Sequence, residues 1–217
     1  VVLAAFEGPD EFTATAAAPG VTCSLARSTE QVKAGGASGL LSATSKAKAR
    51  RGAWAKAGKA FDPNLDLHQY GALGVWVHGD GKGELLNLQL TNPRQYWHCR
   101  DEHYVSVDFT GWRYFELLLR ERDAEQFEQH QWPYGGHYAV YRSPLVSQHT
   151  SELNLYVNEL PPGQSVACYL SPVKALKTAK VTLRNPAVEI GGRRIVFPVE
   201  LSSGGYLELE SPSNCKL

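Results

Sequence analysis

Two-residue alternation of apolar and polar side chains, repeated in separate segments, constrains this chain more than any other feature. Glu84 to Thr91 reads ELLNLQLT, with Leu86, Leu88 and Leu90 on one side and Asn87, Gln89 and Thr91 on the other. Glu152 to Asn158 (ELNLYVN) sets Leu153, Leu155 and Val157 against Asn154, Tyr156 and Asn158. His103 to Phe109 (HYVSVDF) sets Val105 and Val107 against Tyr104, Ser106 and Asp108. Successive strand side chains point to opposite faces, so each segment is expected to be a strand with one face in a core and one in water. Further strand-like runs include Val2 to Glu7, Thr22 to Arg27, Gly39 to Thr44, Leu73 to His78, Tyr114 to Arg120, His137 to Tyr141 and Val166 to Val173. Others follow at Val181 to Arg184, Arg194 to Pro198 and Tyr206 to Glu210. Asp80-Gly81-Lys82-Gly83, Pro161-Pro162-Gly163, Gly191-Gly192 and Gly204-Gly205 supply turn chemistry between runs. Short strands with this punctuation predict an all-β, antiparallel sandwich or barrel with under about a tenth helix. Glu121 to His130 is the one stretch open to a helical turn or a polar loop, and it leads into the loop-like Trp132-Pro133-Tyr134-Gly135-Gly136.

At 217 residues, 43% hydrophobic and 20% charged, the chain is long enough for a sizeable core and is read as one β domain, 1–217. The formal net charge is +0, which argues against nucleic acid as a partner. No apolar run approaches the ~18 residues of a membrane helix, so no membrane partner is expected. The opening VVLAAF is short, lacks a basic start and does not read as a signal peptide. With no Met in the sequence, a processed protein or a domain from a longer one is expected. The four cysteines, Cys23, Cys99, Cys168 and Cys215, are widely spaced and contain no CxxC, which argues against zinc.

The polar sides of the alternating strands carry Asn, Gln, Asp and Tyr rather than mainly Lys and Glu. Amides and phenols suit hydrogen bonding and stacking with a neutral polar ligand such as a sugar, whose apolar face lies on an aromatic ring while its hydroxyls meet planar polar groups. On this chemistry Trp97, Trp132 and Tyr134 are candidate stacking surfaces, because they sit in loop-like segments where binding residues concentrate. Asn87, Gln89, Asp108, Tyr156 and Arg142 are candidate polar contacts, the last through its forked guanidinium. An ordinary solvated face competes with this reading for the polar rows, and core packing competes for Trp97 and Trp132. Trp76, between Val75 and Val77, fits an outer sheet face; Trp54 and Trp112 are assigned to packing. Lys46, Lys48, Arg50, Arg51, Lys56 and Lys59 form a basic stretch, read first as a charged face or edge-strand protection and second as an attractor of acidic polysaccharide.

Phe6-Glu7-Gly8 followed by Val32 to Leu40 (VKAGGASGL) resembles the start of a galactose-binding-domain-like jelly roll, the fold of many carbohydrate-binding modules of secreted bacterial polysaccharide-degrading enzymes. Gly74-Val75-Trp76-Val77, Asp108 to Phe115 (DFTGWRYF) and Leu153 to Asn158 (LNLYVN) match the strand style of those modules. The resemblance covers most of the chain, and the hairpins from Val181 on exceed the minimal module. It implies a non-catalytic module that targets a covalently linked catalytic domain to a polysaccharide or oligosaccharide, in a secreted, extracellular or periplasmic setting. It also implies a structural calcium, with Glu7 as the matching carboxylate and with backbone carbonyls around Lys33 to Gly36 and Glu208 or Glu210 on the last strand completing the oxygen ligands. A jelly roll brings its terminal strands together, which suggests a Cys23–Cys215 disulfide; buried free thiols are the alternative.

Two other classes stay open. A small glycan-active hydrolase or lyase needs only a carboxylate pair or a histidine–tyrosine pair, for which Asp108, Glu116, Glu152, His98, His103, His137 and His149 offer material. No GxSxG, HExxH, P-loop or GxGxxG supports it. A structural sandwich that packs against a catalytic domain is the third class.

Overall fold

The computed structural model describes residues 1–8, 10–93, 100–119, 147–177, 187–190 and 193–196. The chain divides into two compact units, Val1–Lys177 and Thr178–Leu217. The first unit holds two antiparallel sheets. One has seven strands, in the order β1 (Val2–Ala4), β12 (Val173–Leu176), β6 (Ala72–Asp80), β11 (Ser165–Leu170), β4 (Ser38–Ser45) and β3 (Val21–Ser28), with β9 (Thr110–Leu118) on the other edge of β6. The second runs β2 (Ala14–Ala17), β5 (Ala55–Leu65), β10 (Thr150–Asn158), β7 (Leu85–Thr91), β8 (Arg100–Ser106). In the second unit β13 (Ala187–Ile190) and β14 (Arg193–Val196) form a hairpin, with Ala187 opposite Val196. The helical structure among the described residues is a single 3-10 turn at Ser147–His149.

The alternation explains the core. Leu86, Leu88, Leu90, Leu153, Leu155 and Val157 from the five-stranded sheet are 0% exposed, and they join Leu41, Leu73, Val75, Val77, Cys168 and Leu170 of the other sheet in one cluster. This is the antiparallel β-sandwich that the strand pattern predicts. The expected turn at Asp80 to Gly83 forms, with the Lys82 N–H donating to Asp80 Oδ1 at 3.1 Å. Gln164 N–H donates to the Pro161 carbonyl and closes the β10–β11 connection.

Some expectations change. Val166 to Val173 is two strands, because Pro172 lacks an N–H for the ladder. Tyr169 pairs with His78 but Lys174 pairs with Gly74, so the register along β6 slips by one residue at Ser171-Pro172. Ala14–Ala17 is an edge strand that the sequence pattern did not signal. Cys23 is a free thiol packed at the margin of the core; Cys215, the partner suggested for it, lies outside the described residues. Burial raises the thiol pKa of Cys23 and Cys168, keeping both protonated and unreactive. The runs His137 to Tyr141, Val181 to Arg184 and Tyr206 to Glu210 also lie outside the described residues.

Below the β6–β7 turn lies a buried carboxyl. The Glu84 side chain is 0% exposed, and among the described residues neither of its oxygens has a donor beyond its own backbone N–H.

Candidate functional site

The five-stranded sheet has one face on the core and one carrying the polar members of the alternating strands. Pairing sets them in rows. Ala14, Gly58, Asn154, Gln89 and Glu102 cross β2, β5, β10, β7 and β8 in one row. Ala16, Lys56, Tyr156, Asn87 and Tyr104 make the next. The register therefore brings together Asn87, Gln89 and Tyr156, three of the residues singled out in the sequence.

This face departs from the expectation of a wet surface. Asn87, Gln89 and Asn154 are 2%, 4% and 2% exposed, and Glu102 is 3% exposed. Burial of so many polar groups requires them to bond one another. Glu102 is the hub. Its carboxylate accepts from Asn87 Nδ2, from Gln89 Nε2 and from the side chain of Tyr104. Burial raises the Glu102 pKa, while these three donors and the charge of Arg100 pull the other way. Asn87 Oδ1 accepts from the His103 backbone N–H at 3.0 Å. Asn154 Nδ2 donates to Glu152 Oε2 at 3.1 Å and reaches Gln89 Oε1 at 3.5 Å, and Lys56 Nζ donates to Asn154 Oδ1 at 3.3 Å. Thr91 Oγ1 donates to the same Glu152 oxygen at 3.2 Å.

Above this floor stand half-exposed rings. Tyr156 and Tyr104 flank Asn87 on neighbouring strands, about 10 Å apart at two strand spacings. Lys56 Nζ lies 5.6 Å from the Tyr156 ring centroid, and the Trp54 ring meets Tyr156 at 5.9 Å and 50°. Trp54 also packs against the core, as its packing assignment anticipated. The arrangement gives two aromatic faces and an ammonium over a polar floor whose hydrogen bonds hold it rigid.

Gly58 makes room for this floor. A Cβ there would lie 2.6 Å from Asn154 Oδ1, and that amide is tied on both sides. Gly58→Ala is expected to cost about 1–3 kcal/mol in urea unfolding. Adding Asn154→Ala should bring back part of that loss, because the clash and the amide are one interaction.

The other sequence candidates fall elsewhere. Asp108 is exposed and lies beyond the end of β8, in the connection to β9, not among the network residues. Trp97, Trp132, Tyr134 and Arg142 lie outside the described residues, as does Glu208. Glu102 was missed because a carboxylate in HYVSVDF's lead-in carries no pattern signal; only its strand parity with Tyr104 places it on this face. His103 has the opposite parity and is 0% exposed, with Nδ1 2.9 Å from the Leu88 carbonyl and Nε2 3.4 Å from Asp101 Oδ2. It is a core residue and cannot meet a polysaccharide as base or acid.

Glu7 is exposed, and among the described residues no three His, Cys, Asp or Glu side chains gather to hold a metal. Four residues further along, Glu11 accepts from the Ala5 and Phe6 N–H groups at 2.7 and 2.5 Å and from Lys59 Nζ at 2.7 Å. Those donors lower its pKa despite burial, and an ammonium in contact opposes a second cation. Of the carboxylates suggested for calcium, Glu7 is exposed and Glu208 lies outside the described residues.

No protein-family model matches the sequence, and no curated protein matches it significantly. Solved structures do match the fold. A family 11 carbohydrate-binding module of the cellulosomal cellulase Lic26A-Cel5E of Clostridium thermocellum aligns with TM-score 0.54 at 12% identity, over 81% of this chain and 93% of that one. A family 11 module from Clostridium thermocellum in complex with a β-1,3-1,4-mixed-linked tetrasaccharide gives TM-score 0.55 at 11% identity, over 81% and 94%. A carbohydrate-binding module described for promiscuous specificity within the β-sandwich superfamily gives 0.52 at 12% identity, over 81% of this chain and 61% of that one. The chain thus has the jelly-roll β-sandwich fold of these modules.

Proposed function

We propose that this chain is a non-catalytic carbohydrate-binding module whose ligand lies on the polar face of the five-stranded sheet. The observation that carries the reading is the pair of half-exposed tyrosines, Tyr104 and Tyr156, standing over a buried amide–carboxylate floor. Stacking supplies affinity, and a floor that cannot rearrange limits the ordering cost of binding. The buried amides act by positioning the rings, since their own hydrogen-bonding capacity is largely used. Trp97, Trp132 and Tyr134 are proposed as further stacking surfaces and Arg142 and Asp108 as further polar contacts. The module's task would be to hold a covalently linked polysaccharide-degrading enzyme at its substrate outside the cell, raising the local concentration of one at the other. The fold shared with modules that include one bound to a mixed-linked tetrasaccharide supports this reading.

Calorimetric titration with that tetrasaccharide and a panel of neutral oligosaccharides tests it. Binding without product release is expected, and Tyr156→Ala should weaken it by about thirtyfold, the effect of losing a hot-spot ring. Sugar release from any glycan of the panel, or no binding to any of them, would overturn the proposal.

A further inference from the structure

The outward face of the seven-stranded sheet carries a second aromatic surface that the site above does not use. Alternation in β6 sends Val75 and Val77 into the core at 1% and 0% exposure and turns Trp76 and His78 outward. The partners across both edges of β6 are aromatic as well. Trp112, His78 and Tyr169 lie side by side on β9, β6 and β11, with ring centroids 5.3 and 5.7 Å apart. Tyr114 pairs with Trp76 at 5.2 Å. Trp112, assigned to packing from the sequence, thus belongs to an outer face. Tyr114 is 43% exposed and the other four rings are half-buried.

Three features say what such a surface suits. First, Tyr114 lies down over Gly74: a Cβ at Gly74 would be 2.6 Å from its hydroxyl, so the ring has one side on the sheet. Second, the exposed Lys33 holds its ammonium 4.8 Å from the Trp76 centroid. A face that attracts a cation from solvent also attracts the weakly positive C–H groups of a sugar ring. Third, the charges at the rim cancel. Glu30 accepts from the Tyr169 hydroxyl at 3.2 Å and Glu116 neighbours Tyr114, while Lys33 and Lys174 supply two positive charges. With no net sign, the rim fits a neutral polymer and gives an acidic one no advantage. The rings spread over three strands, about 10 Å across, rather than closing around a point, which fits an extended chain and not a small cation.

We propose that this face is a second glycan-binding surface, taking the apolar face of a neutral polysaccharide chain. It rests on the carbohydrate-binding reading and adds a site on the opposite sheet of the sandwich. Two such faces would let one module bridge two chains or grip one insoluble surface with higher avidity.

The test compares Trp76→Thr/Tyr114→Thr and Tyr156→Ala with the unaltered protein, using retention on insoluble neutral β-glucans, xylan and mannan and titration with their soluble oligosaccharides. Two ligands per chain are expected. Trp76→Thr/Tyr114→Thr should abolish one of them, with about a thirtyfold loss at that site, and Tyr156→Ala should abolish the other. Radical footprinting of the unaltered protein should show Trp76 and Trp112 protected by the glycan, a readout that holds even if the double variant unfolds. One ligand per chain, lost in Tyr156→Ala and untouched in the double variant, with no protection at Trp76, overturns the second face and leaves the first reading standing. No retention on any glycan overturns both. A dimer that the double substitution turns into a monomer assigns the face to self-association and overturns the proposal.

Discussion

Glu102→Ala is expected to lower stability by about 3–5 kcal/mol, as much as truncating a buried leucine of this sheet. The substitution removes no apolar contact of note. It strands the Asn87 and Gln89 amide N–H groups and the Tyr104 hydroxyl in a face where the two amides are 2% and 4% exposed. Each buried donor left unpaired costs about 1–3 kcal/mol, and water entering the vacated space recovers part of the sum. For a chain of this size the melting temperature should fall by roughly 10 °C. Glu102→Gln separates the hydrogen bonds from the volume. Its amide keeps one acceptor but brings two donors of its own toward Asn87 and Gln89, so about 1–2 kcal/mol should be lost. Equal melting temperatures for the Ala variant and the unaltered protein would show that the carboxylate does not organise the floor. Tyr156→Ala, which touches the same network only at its margin, should bind poorly yet melt nearly normally, separating the floor from the surface it supports.

The architecture was legible because burial follows alternation. Leu86, Leu88 and Leu90 are as buried as the period required, and Trp76 turns outward because Val75 and Val77 do not. Where the sequence misled, a tertiary fact overrode a local one. Asn87 and Gln89 look solvent-facing by period, but alternation gives only the side of the sheet; that they are buried follows from how Glu102, Tyr104 and Asn154 assemble around them. Glu102 contributes through cross-strand register with Gln89, which no local pattern encodes. Ala14–Ala17 went unseen because alanine has little strand preference and pairing with β5 alone decides its conformation. Trp112 was assigned to packing, and it does pack, but against His78 on the outer face of the sheet, with Tyr169 on the far side of that imidazole. The strands carrying the rings could be read; which rings meet could not.

The protein should be more stable in mild acid than in mild base on account of Glu84. Its carboxyl is 0% exposed, has no donor beyond its own backbone N–H among the described residues and lies near the Asp80 charge, and burial above all pushes its pKa from 4.5 to about 7. A carboxyl raised in this way folds without penalty while it is protonated in both states, below about 4.5. As pH rises toward 7 the unfolded chain ionises first, so folding increasingly means taking up a proton, and stability drains away; above about 7 the buried charge carries its full penalty. The shift corresponds to about 3 kcal/mol at most, and relaxation and water entry around the ionised carboxylate bring the expected effect to about 2 kcal/mol. Glu84→Gln has nearly the same shape and cannot ionise. At pH 8 it should be more stable than the unaltered protein by about 2 kcal/mol, or roughly 4–8 °C in Tm, and at pH 4.5 the two should melt together. Urea titrations of both proteins across this range decide the matter. A difference between them that does not change with pH would mean that the carboxyl titrates alike in the folded and the unfolded chain, its charge no worse off in the fold than in water.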